Sequence, residues 1–219
     1  MRVDFYKMLL NITSIKFWSL ILLISVIFGD SVSRGKGLSM APSIKGDSYI
    51  KVNRIKNGAY QPTRGDVVGF KHTANSTDTE KFGKRVIGLP GDIVEFNKGH
   101  LYINQKPIYQ GVASENEDFI FVKERLDAVE YYVQYMKNKP EYMNKKLTWS
   151  VPDGQIFVLG DNRNNSYDSK YNSFGFVSID NVYAVYDKVK FNLFASKGGR
   201  QFNCSLYEVS DSLPYEDRC

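Results

Sequence analysis

The sequence predicts a mainly β domain with coiled or partly closed sheets. Two observations support this prediction: apolar runs of strand length recur along the chain, and turn-forming residues separate them. The composition agrees, because 42% hydrophobic residues with 14% aromatics favour a packed core. A length of 219 residues suits one sizeable domain, or one domain with a large insertion.

The strand candidates are separated by recognisable turns. Residues 62–65 read Pro-Thr-Arg-Gly and predict a turn before one strand, and Asn-Lys-Gly at 97–99 predicts the turn of a hairpin. Residues 31–37 are rich in Ser and Gly and indicate a linker or a substrate-facing loop. The predicted strands are residues 49–55, 66–70, 93–96, 101–103, 156–159 and 182–189.

The segment 109–149 departs from this pattern. Residues 124–139 carry apolar side chains at spacings of three and four, which predicts an amphipathic helix that ends before Pro140. These apolar residues are Leu126, Val129, Val133 and Met136. The segment is also rich in tyrosine, and we expect the rings to pack this part of the fold rather than to bind a ligand.

The first 30 residues predict a membrane anchor. Residues 17–29 form an uncharged, mostly apolar run, which as a helix reaches only about 20 Å of a hydrocarbon core of about 30 Å. Extension back to Met8 gives about 33 Å and includes Lys16, whose side chain can reach the headgroups. A cleaved export signal is the alternative, but the small-residue cleavage pattern after the run is poor, so we favour an uncleaved anchor.

Charge and cysteine content give weaker guidance. The formal net charge is +5, with basic and acidic residues interspersed, which favours an anionic membrane surface. No helix-turn-helix, zinc or nucleotide-binding pattern accompanies this charge, so we expect no nucleic-acid partner. Cys204 and Cys219 allow a single intramolecular pairing, and the sequence leaves a disulfide and two separate thiols equally open.

Three short segments carry the candidate chemistry. Residues 39–42 read Ser-Met-Ala-Pro, residues 84–92 read Lys-Arg-Val-Ile-Gly-Leu-Pro-Gly-Asp, and residues 160–169 read Gly-Asp-Asn-Arg-Asn-Asn-Ser-Tyr-Asp-Ser. In this order, behind one N-terminal apolar stretch, they resemble the boxes of signal peptidase I, a family of membrane-anchored serine proteases with a Ser-Lys dyad. The resemblance covers most of residues 36–190.

The residue types are consistent with such a dyad. A serine nucleophile needs a base, and the two histidines, His72 and His100, lie in no recognisable triad motif. A lysine can serve if apolar burial lowers its pKa from about 10.4 to roughly 7 to 8. Lys84 lies among apolar residues such as Phe82 and Val86, although local sequence alone leaves a solvated Lys-Arg pair on an edge strand as an equal alternative.

The resemblance implies a role for each of five residues. Ser39 resembles the nucleophile, whose own backbone N–H helps to hold the oxyanion, and Lys84 resembles the general base. Ser166 resembles the residue whose hydroxyl hydrogen-bonds the catalytic lysine and orients it. Asp168 and Lys170 occupy the positions of a supporting ion pair. The resemblance implies neither a metal nor another cofactor.

Four residues match substrate-binding positions of the family: Gly37, Met40, Pro42 and Gly83. Gly37 lacks the hydroxyl that a Ser at this position adds to the oxyanion hole in other members. Gly83 stands where a larger apolar residue is common, so we expect an enlarged or looser pocket for substrate side chains. Lys170 stands where most members have Arg, which predicts looser support because Lys lacks the bidentate geometry.

The resemblance also implies the domain organisation and the function. It predicts an anchor over 1–30, a catalytic β domain over 31–108 and 150–195, an inserted cap over 109–149 that contains the predicted helix, and a C-terminal tail over 196–219. The expected protein crosses the cell membrane once, keeps its catalytic domain on the extracytoplasmic side, and removes N-terminal signal peptides from exported preproteins. Its expected partners are therefore preproteins and the lipid bilayer.

Two alternatives remain open from the sequence. One is a specialised conjugative-transfer or pilin-maturation peptidase of the same dyad family, with a dedicated substrate. The other is a catalytically inactive β domain that binds secreted peptides.

Overall fold

Antiparallel strands make up nearly all the regular structure of the described residues, as the strand-length apolar runs and the turn residues between them predict. The computed structural model describes residues 31–55, 60–73, 79–97, 99–139, 146–192 and 201–207. Across these residues there are fifteen strands and one single-turn 3-10 helix, Ile179–Asn181. The mainly β fold class is therefore confirmed.

The described strands are two to eleven residues long. In chain order they are β1 Val32–Gly35, β2 Ser48–Arg54, β3 Val67–His72, β4 Glu80–Gly88, β5 Ile93–Asn97, β6 His100–Ile103, β7 Lys106–Pro107, β8 Tyr109–Glu115, β9 Phe119–Leu126, β10 Val129–Met136, β11 Lys146–Ser150, β12 Gln155–Leu159, β13 Val177–Ser178, β14 Val182–Asn192 and β15 Gln201–Ser205.

The largest sheet has eight strands. Its path is β1-β2-β14-β3-β4-β12-β13, and β15 pairs with β14 off this path. The long strand β14 pairs with β3 through its first half and with β15 through its second, with register shifts along the way. Such irregularities bend and twist a strand, which suits the coiled sheet that the sequence predicts. The sheet places β4 centrally, between β3 and β12.

Two smaller sheets complete the fold. One has the order β11-β5-β6-β7, and it contains the hairpin predicted around residues 97–99, with Asn97 opposite His100. The other has the order β10-β9-β8 and lies in the inserted segment. A buried apolar cluster joins them to β12, because it contains Val94 of β5, Val133 of β10 and Phe157 of β12.

The predicted helix over residues 124–139 is wrong. This stretch forms the end of β9, a turn at Asp127, whose φ is 52°, and then β10. Leu126 and Val129 face each other across the hairpin and are not successive contacts on a helix face. The buried apolar side chains of β10, at Tyr131, Val133 and Tyr135, recur every two residues. Such β-branched and aromatic residues favour strands, and here they outweigh the spacing of three and four.

Two segments predicted to be irregular carry strands. The Ser- and Gly-rich segment 31–37 contains β1. This strand pairs with β2, with Val32 opposite Lys51 and Ser33 opposite Ile50. The predicted tail over 196–219 contains β15, which pairs with β14. Cys204 on β15 is buried and disulfide-bonded, and Cys219 lies outside the described residues.

The predicted membrane anchor, residues 1–30, also lies outside the described residues and stays a prediction. In the part of the chain that the structure does describe, no helix combines the length and the apolar character needed to cross a bilayer.

Candidate active site

Ser39 lies on a tight, non-regular segment between β1 and β2. The Ala41 N–H donates to the Leu38 carbonyl at 3.1 Å, and the Ile44 N–H donates to the Met40 carbonyl at 2.8 Å. Met40 and Ile44 are 5% and 3% exposed and belong to one apolar cluster. The segment is thus anchored on both sides of Ser39, whose own side chain is half-buried.

Lys84 meets Ser39 from the central strand β4. The Lys84 Nζ lies 2.6 Å from the Ser39 Oγ, although the two residues are 45 positions apart in the chain. Lys84 is 3% exposed and stands opposite Val68 of β3. The structure therefore brings together the two residues that the resemblance proposes as nucleophile and base.

The surroundings of Lys84 favour its neutral form. Burial is the largest effect and lowers the pKa of Lys84 to about 8, from a usual value of 10.5. The negative charges of Asp168 and Asp161 oppose this shift, and the positive charge of Lys170 adds to it. A lysine with this pKa is partly neutral near pH 8, so it can accept a proton from a hydroxyl at hydrogen-bond distance.

Asp168 and Lys170 form an ion pair beneath this site. The Lys170 Nζ lies 3.0 Å and 3.1 Å from the two carboxylate oxygens of Asp168, and it also donates to the Ser166 carbonyl at 2.8 Å. The second carboxylate oxygen of Asp168 accepts the Gly160 N–H at 2.9 Å. Asp168 is fully buried, and burial is the main cause that lowers the pKa of Lys170. Through these hydrogen bonds the ion pair connects Gly160, at the start of the 160–169 segment, to Ser166 near its end.

Ser166 lies in the site without the hydrogen bond that the resemblance implies. Its Oγ is buried and makes no hydrogen bond within the described part of the chain, so the expected contact with Lys84 is not formed. The hydroxyl instead packs over Gly160, where an added β-carbon would overlap both the Ser166 Oγ and the Ser39 carbonyl oxygen. The Lys84 amine is engaged with Ser39, and the Ser166 hydroxyl faces the backbone of Gly160.

The predicted substrate-binding residues have different surroundings. Gly37 is exposed, with open space where a β-carbon would stand, whereas Met40 and Pro42 are buried. Gly83 does not leave an enlarged pocket as we expected. A β-carbon at this position would lie 3.0 Å from Cε2 of Tyr186, so a ring from β14 already occupies the space.

Asn162 is a site residue that the sequence interpretation did not single out. Its backbone N–H donates to the Ser39 carbonyl at 3.0 Å, and its Nδ2 donates to the Leu38 carbonyl at 3.1 Å. The turn after β12 is therefore bonded directly to the nucleophile segment. The sequence places Asn162 within the third motif, residues 160–169, but gives it no role of its own.

Arg85 is a second residue whose role the sequence did not reveal. Its guanidinium is fully buried and binds Asp161 at two points, 2.9 Å from Nε to Oδ1 and 2.7 Å from Nη2 to Oδ2. Its Nη1 also donates to the carbonyls of Gly65 at 2.9 Å and Leu206 at 3.0 Å. The guanidinium carbon lies 4.1 Å from the ring centre of Tyr131 on β10. Arg85 thus connects β4 to the turn, the inserted hairpin and the segment after β15.

Arg163 makes a similar connection from the turn itself. It forms a buried ion pair with Glu124 of β9, at 2.8 Å from Nη1 to Oε1 and 2.5 Å from Nη2 to Oε2. Tyr131 donates its hydroxyl to Glu124 at 2.8 Å. In addition, the Gln134 backbone on β10 donates to the Asp161 carbonyl at 2.9 Å and accepts the Arg163 N–H at 3.0 Å.

The inserted segment is therefore part of the support of the site. Glu124 could not be identified from the sequence, because nothing in the sequence of the insertion marks it as the partner of Arg163.

Comparisons with known proteins agree with these observations. The family model described as "Signal peptidase, peptidase S26" matches residues 8–191 of the chain. A "Probable signal peptidase I-2" from Synechocystis sp. is 36% identical over 146 residues, which cover 64% of this chain and 53% of that protein. "Signal peptidase I U" from Bacillus subtilis is 33% identical over 147 residues, which cover 67% of this chain and 68% of that protein.

A solved structure is also similar in sequence. The crystal structure of a signal peptidase I from Enterococcus faecalis V583 is 32% identical, with a TM-score of 0.35 over 57% of this chain and 97% of that chain. The chain spans about half the length of several curated relatives that it matches.

Proposed function

Because the chain belongs to the signal peptidase family, peptidase S26, we propose that it is a serine endopeptidase that removes N-terminal signal peptides from exported preproteins. The observation that carries the proposal is the 2.6 Å distance between the buried amine of Lys84 and the hydroxyl of Ser39. Packing alone does not explain this arrangement, because a buried lysine is costly unless it is paired or neutral.

The proposed reaction begins with attack of Ser39 Oγ on the scissile carbonyl carbon. Neutral Lys84 accepts the hydroxyl proton, and the carbonyl oxygen becomes an oxyanion that the Ser39 backbone N–H helps to hold. Collapse of the tetrahedral intermediate breaks the peptide C–N bond, and Lys84 returns the proton to the leaving amine. Water then attacks the acyl-enzyme, Lys84 takes its proton, and Ser39 is released with the proton restored.

Three further residues support Ser39 and Lys84: they hold the two side chains in position and set the charge around them. We assign Asp168 and Lys170 to the support of the 160–169 segment, which their ion pair and the bond to Gly160 favour. We assign to Ser166 the orientation of Lys84 in the substrate complex. Its buried hydroxyl has no partner in the described structure, so after a rotation about the Cα–Cβ bond its oxygen can accept an N–H of the Lys84 amine and leave the lone pair of that amine for the Ser39 proton.

The membrane arrangement belongs to the same proposal. Residues 1–30 would anchor the protein, with the catalytic β domain of 31–108 and 150–195 on the extracytoplasmic side. The apolar run of residues 17–29 and the basic net charge support an anchored protein at an anionic bilayer surface.

The test uses the purified full chain in detergent with a radiolabelled or tagged preprotein. The unmodified protein should release mature product, and Ser39→Ala and Lys84→Ala should each abolish the release. Ser173→Ala and Lys71→Ala are matched controls, because both residues are exposed, and these variants should cleave normally. Cleavage that survives Ser39→Ala or Lys84→Ala would exclude this dyad.

A panel of preproteins distinguishes the remaining alternatives. Cleavage of many members supports general signal-peptide removal. Cleavage of a single partner indicates a peptidase with a dedicated substrate, and cleavage of none, with retained binding, indicates a peptide-binding domain.

A further inference from the structure

Tyr171 directly follows Lys170, and the Lys170 ammonium lies over its ring. The Lys170 Nζ is 4.9 Å from the centre of the Tyr171 ring. At this distance the negative face of an aromatic ring attracts a cation, and the attraction is stronger where water is excluded. The Lys170 side chain is 11% exposed, so this contact lies mostly out of water.

A carboxylate and a carbonyl also contact this ammonium. The Lys170 Nζ lies 3.0 Å and 3.1 Å from the two carboxylate oxygens of Asp168, and it donates to the Ser166 carbonyl at 2.8 Å. Lysine carries a compact charge on a flexible four-carbon stem and lacks the rigid, two-pronged donor of arginine. The surroundings of the ammonium must therefore fix its position, and the ring is one part of them.

A small cavity of about 20 Å³ borders the Lys170 side chain. Its lining is mostly apolar and includes Phe96 and Trp149. Arg163 is the other charged residue of the lining, and it is paired with Glu124 of β9. Among the described residues that line the cavity there is no carboxylate. This side of Lys170 therefore supplies no counter-charge, and the small space leaves the side chain room to shift.

Backbone hydrogen bonds and a ring contact fix Tyr171 itself. Its N–H donates to the Asp168 carbonyl at 3.0 Å, and its carbonyl accepts the Phe174 N–H at 2.9 Å. The centre of its ring lies 5.8 Å from that of Tyr167. The ring over Lys170 is thus bonded through its backbone to the residue whose carboxylate pairs with Lys170.

The charge of Lys170 acts on the proposed base. Burial is the main cause that lowers the pKa of Lys84, and the positive charge of Lys170 lowers it further. The carboxylates of Asp168 and Asp161 raise it, although Asp161 is paired with the buried guanidinium of Arg85. If the ammonium shifts away from Asp168, that carboxylate acts on Lys84 without compensation, and the pKa of Lys84 rises.

We propose that Tyr171 is a positioning residue of the site, whose ring holds the Lys170 ammonium against the Asp168 carboxylate and so keeps a positive charge beneath Lys84. The inference rests on the proposed function and adds a residue to it. Tyr171 acts through Lys170 and needs no contact with substrate.

The first test measures the pH profile of kcat/KM in the full chain, with a synthetic peptide that spans one signal-peptide cleavage site. Tyr171→Leu should move the midpoint about half a pH unit higher, which lowers kcat/KM at pH 7 by about threefold. Tyr171→Phe retains the ring face and should keep the original midpoint. Tyr167→Leu is the matched control, because it removes the neighbouring ring, which is exposed, and leaves the ring over Lys170.

A double variant tests whether the effect passes through Lys170. Lys170→Met alone should move the midpoint higher, in the same direction as Tyr171→Leu. In the Lys170→Met background, Tyr171→Leu should add no further shift, because the ring has no cation left to hold. A ring that only packs this loop would change the midpoint equally in both backgrounds, and that result would overturn the inference.

A third measurement does not depend on cleavage. An amine-modifying reagent, read out by mass spectrometry, reports how easily the Lys170 amine leaves its ion pair. Tyr171→Leu should raise the modification rate of Lys170 relative to that of the exposed Lys71 in the same sample, and Tyr171→Phe should not. Equal relative rates in all three proteins would contradict the role of the ring.

The outcomes separate this inference from the proposed function. An unchanged midpoint in Tyr171→Leu, or an equal shift in Tyr167→Leu, overturns the inference and leaves the protease assignment intact. Failure of the unmodified chain to cleave any peptide or preprotein overturns the protease assignment, while the modification rates still show whether the ring holds Lys170. If Tyr171→Leu does not fold, Tyr171→Met offers the same comparison, since it keeps apolar volume and loses the ring.

Discussion

Arg163 and Glu124 form a buried two-point ion pair that joins the turn after β12 to the inserted hairpin. Their side chains are 4% and 2% exposed, and Tyr131 donates a further hydrogen bond to the carboxylate. Each charge is removed from water, and each serves as the counter-charge of the other. The geometry of the segment that carries Asp161, Asn162 and Ser166 therefore depends on a carboxylate located in the insertion.

Removal of this carboxylate charge should destabilise the whole fold. Glu124→Gln leaves the Arg163 guanidinium buried without a counter-charge, at a cost of about 3–5 kcal/mol. For a chain of this size that corresponds to a fall in Tm on the order of 10 °C, measured by thermal unfolding. Glu115→Gln is the control, because its pair with Lys137 is exposed and should contribute at most about 1 kcal/mol. Equal Tm values for the two variants would contradict the role of the buried pair.

The rate of cleavage should rise with pH through the pKa of Lys84. In the proposed mechanism Lys84 acts as a base only when it is neutral, and burial lowers its pKa to about 8. Below that pH, kcat/KM should increase about tenfold per pH unit, and it should level off above it. The measurement is a pH profile of kcat/KM with a peptide that does not titrate in this range. A rise centred near pH 6.5 would instead indicate a histidine base.

Charge changes beneath the site should move this profile in opposite directions. The positive charge of Lys170 lowers the pKa of Lys84, and the negative charge of Asp168 raises it. Lys170→Met should therefore shift the rising limb to higher pH, and Asp168→Asn should shift it to lower pH. Both variants will also cleave more slowly because the ion pair is broken. The informative quantity is therefore the midpoint of the pH profile and not the plateau value of kcat/KM. Shifts in the same direction would argue against this electrostatic arrangement.

Asn162 should act on the rate more than on substrate affinity. Asn162→Ala removes the side-chain hydrogen bond to the Leu38 carbonyl next to Ser39, a loss of about 0.5–1.5 kcal/mol. If that energy positions Ser39, kcat should fall by about 2- to 10-fold with little change in KM. Asn165→Ala is the matched control, because Asn165 is exposed in the same turn. An unchanged kcat in Asn162→Ala would show that the segment holds Ser39 without this bond.

A single methyl group at residue 160 should be poorly tolerated. In Gly160→Ala the new β-carbon would overlap the Ser39 carbonyl oxygen and the Ser166 hydroxyl, so the nucleophile segment and the turn must separate. We expect both a lower Tm and a loss of cleavage by at least about tenfold. Gly37→Ala is the comparison, since open space surrounds that position and its Tm should not change. Wild-type activity in Gly160→Ala would mean that the two segments are not in close contact.

Local sequence was enough for the parts of the fold that depend on short-range pattern. The hairpin of β5 and β6 follows from its turn residues, and the contact between Ser39 and Lys84 agrees with the order of the three boxes. The inserted hairpin was misassigned because Leu126, Val129 and Val133 fit a helical spacing, whereas pairing with β8 and packing against β12 decided the outcome. Those contacts link residues far apart in the chain, and one sequence does not display them.

The candidate site, like the fold, contains residues that the sequence identifies and residues that it does not. Ser39 and Lys84 could be named because their chemistry restricts the choice of residue. Glu124 could not, because its contact is with Arg163, which is distant in the chain, and the same holds for the contact of Tyr186 with Gly83. A glycine in a strand indicates that something approaches closely, but only the structure identifies Tyr186 as the group that does.

The four-way contacts of Arg85 have a consequence for the way this protein unfolds. The guanidinium simultaneously contacts Gly65, Asp161, Leu206 and the ring of Tyr131, which belong to four separate stretches of the chain. If one of these stretches opens alone, the buried guanidinium loses a hydrogen bond or its contact with the ring. The inserted hairpin and the main sheet should therefore lose their structure together, in one cooperative transition, even though the insertion has a sheet of its own.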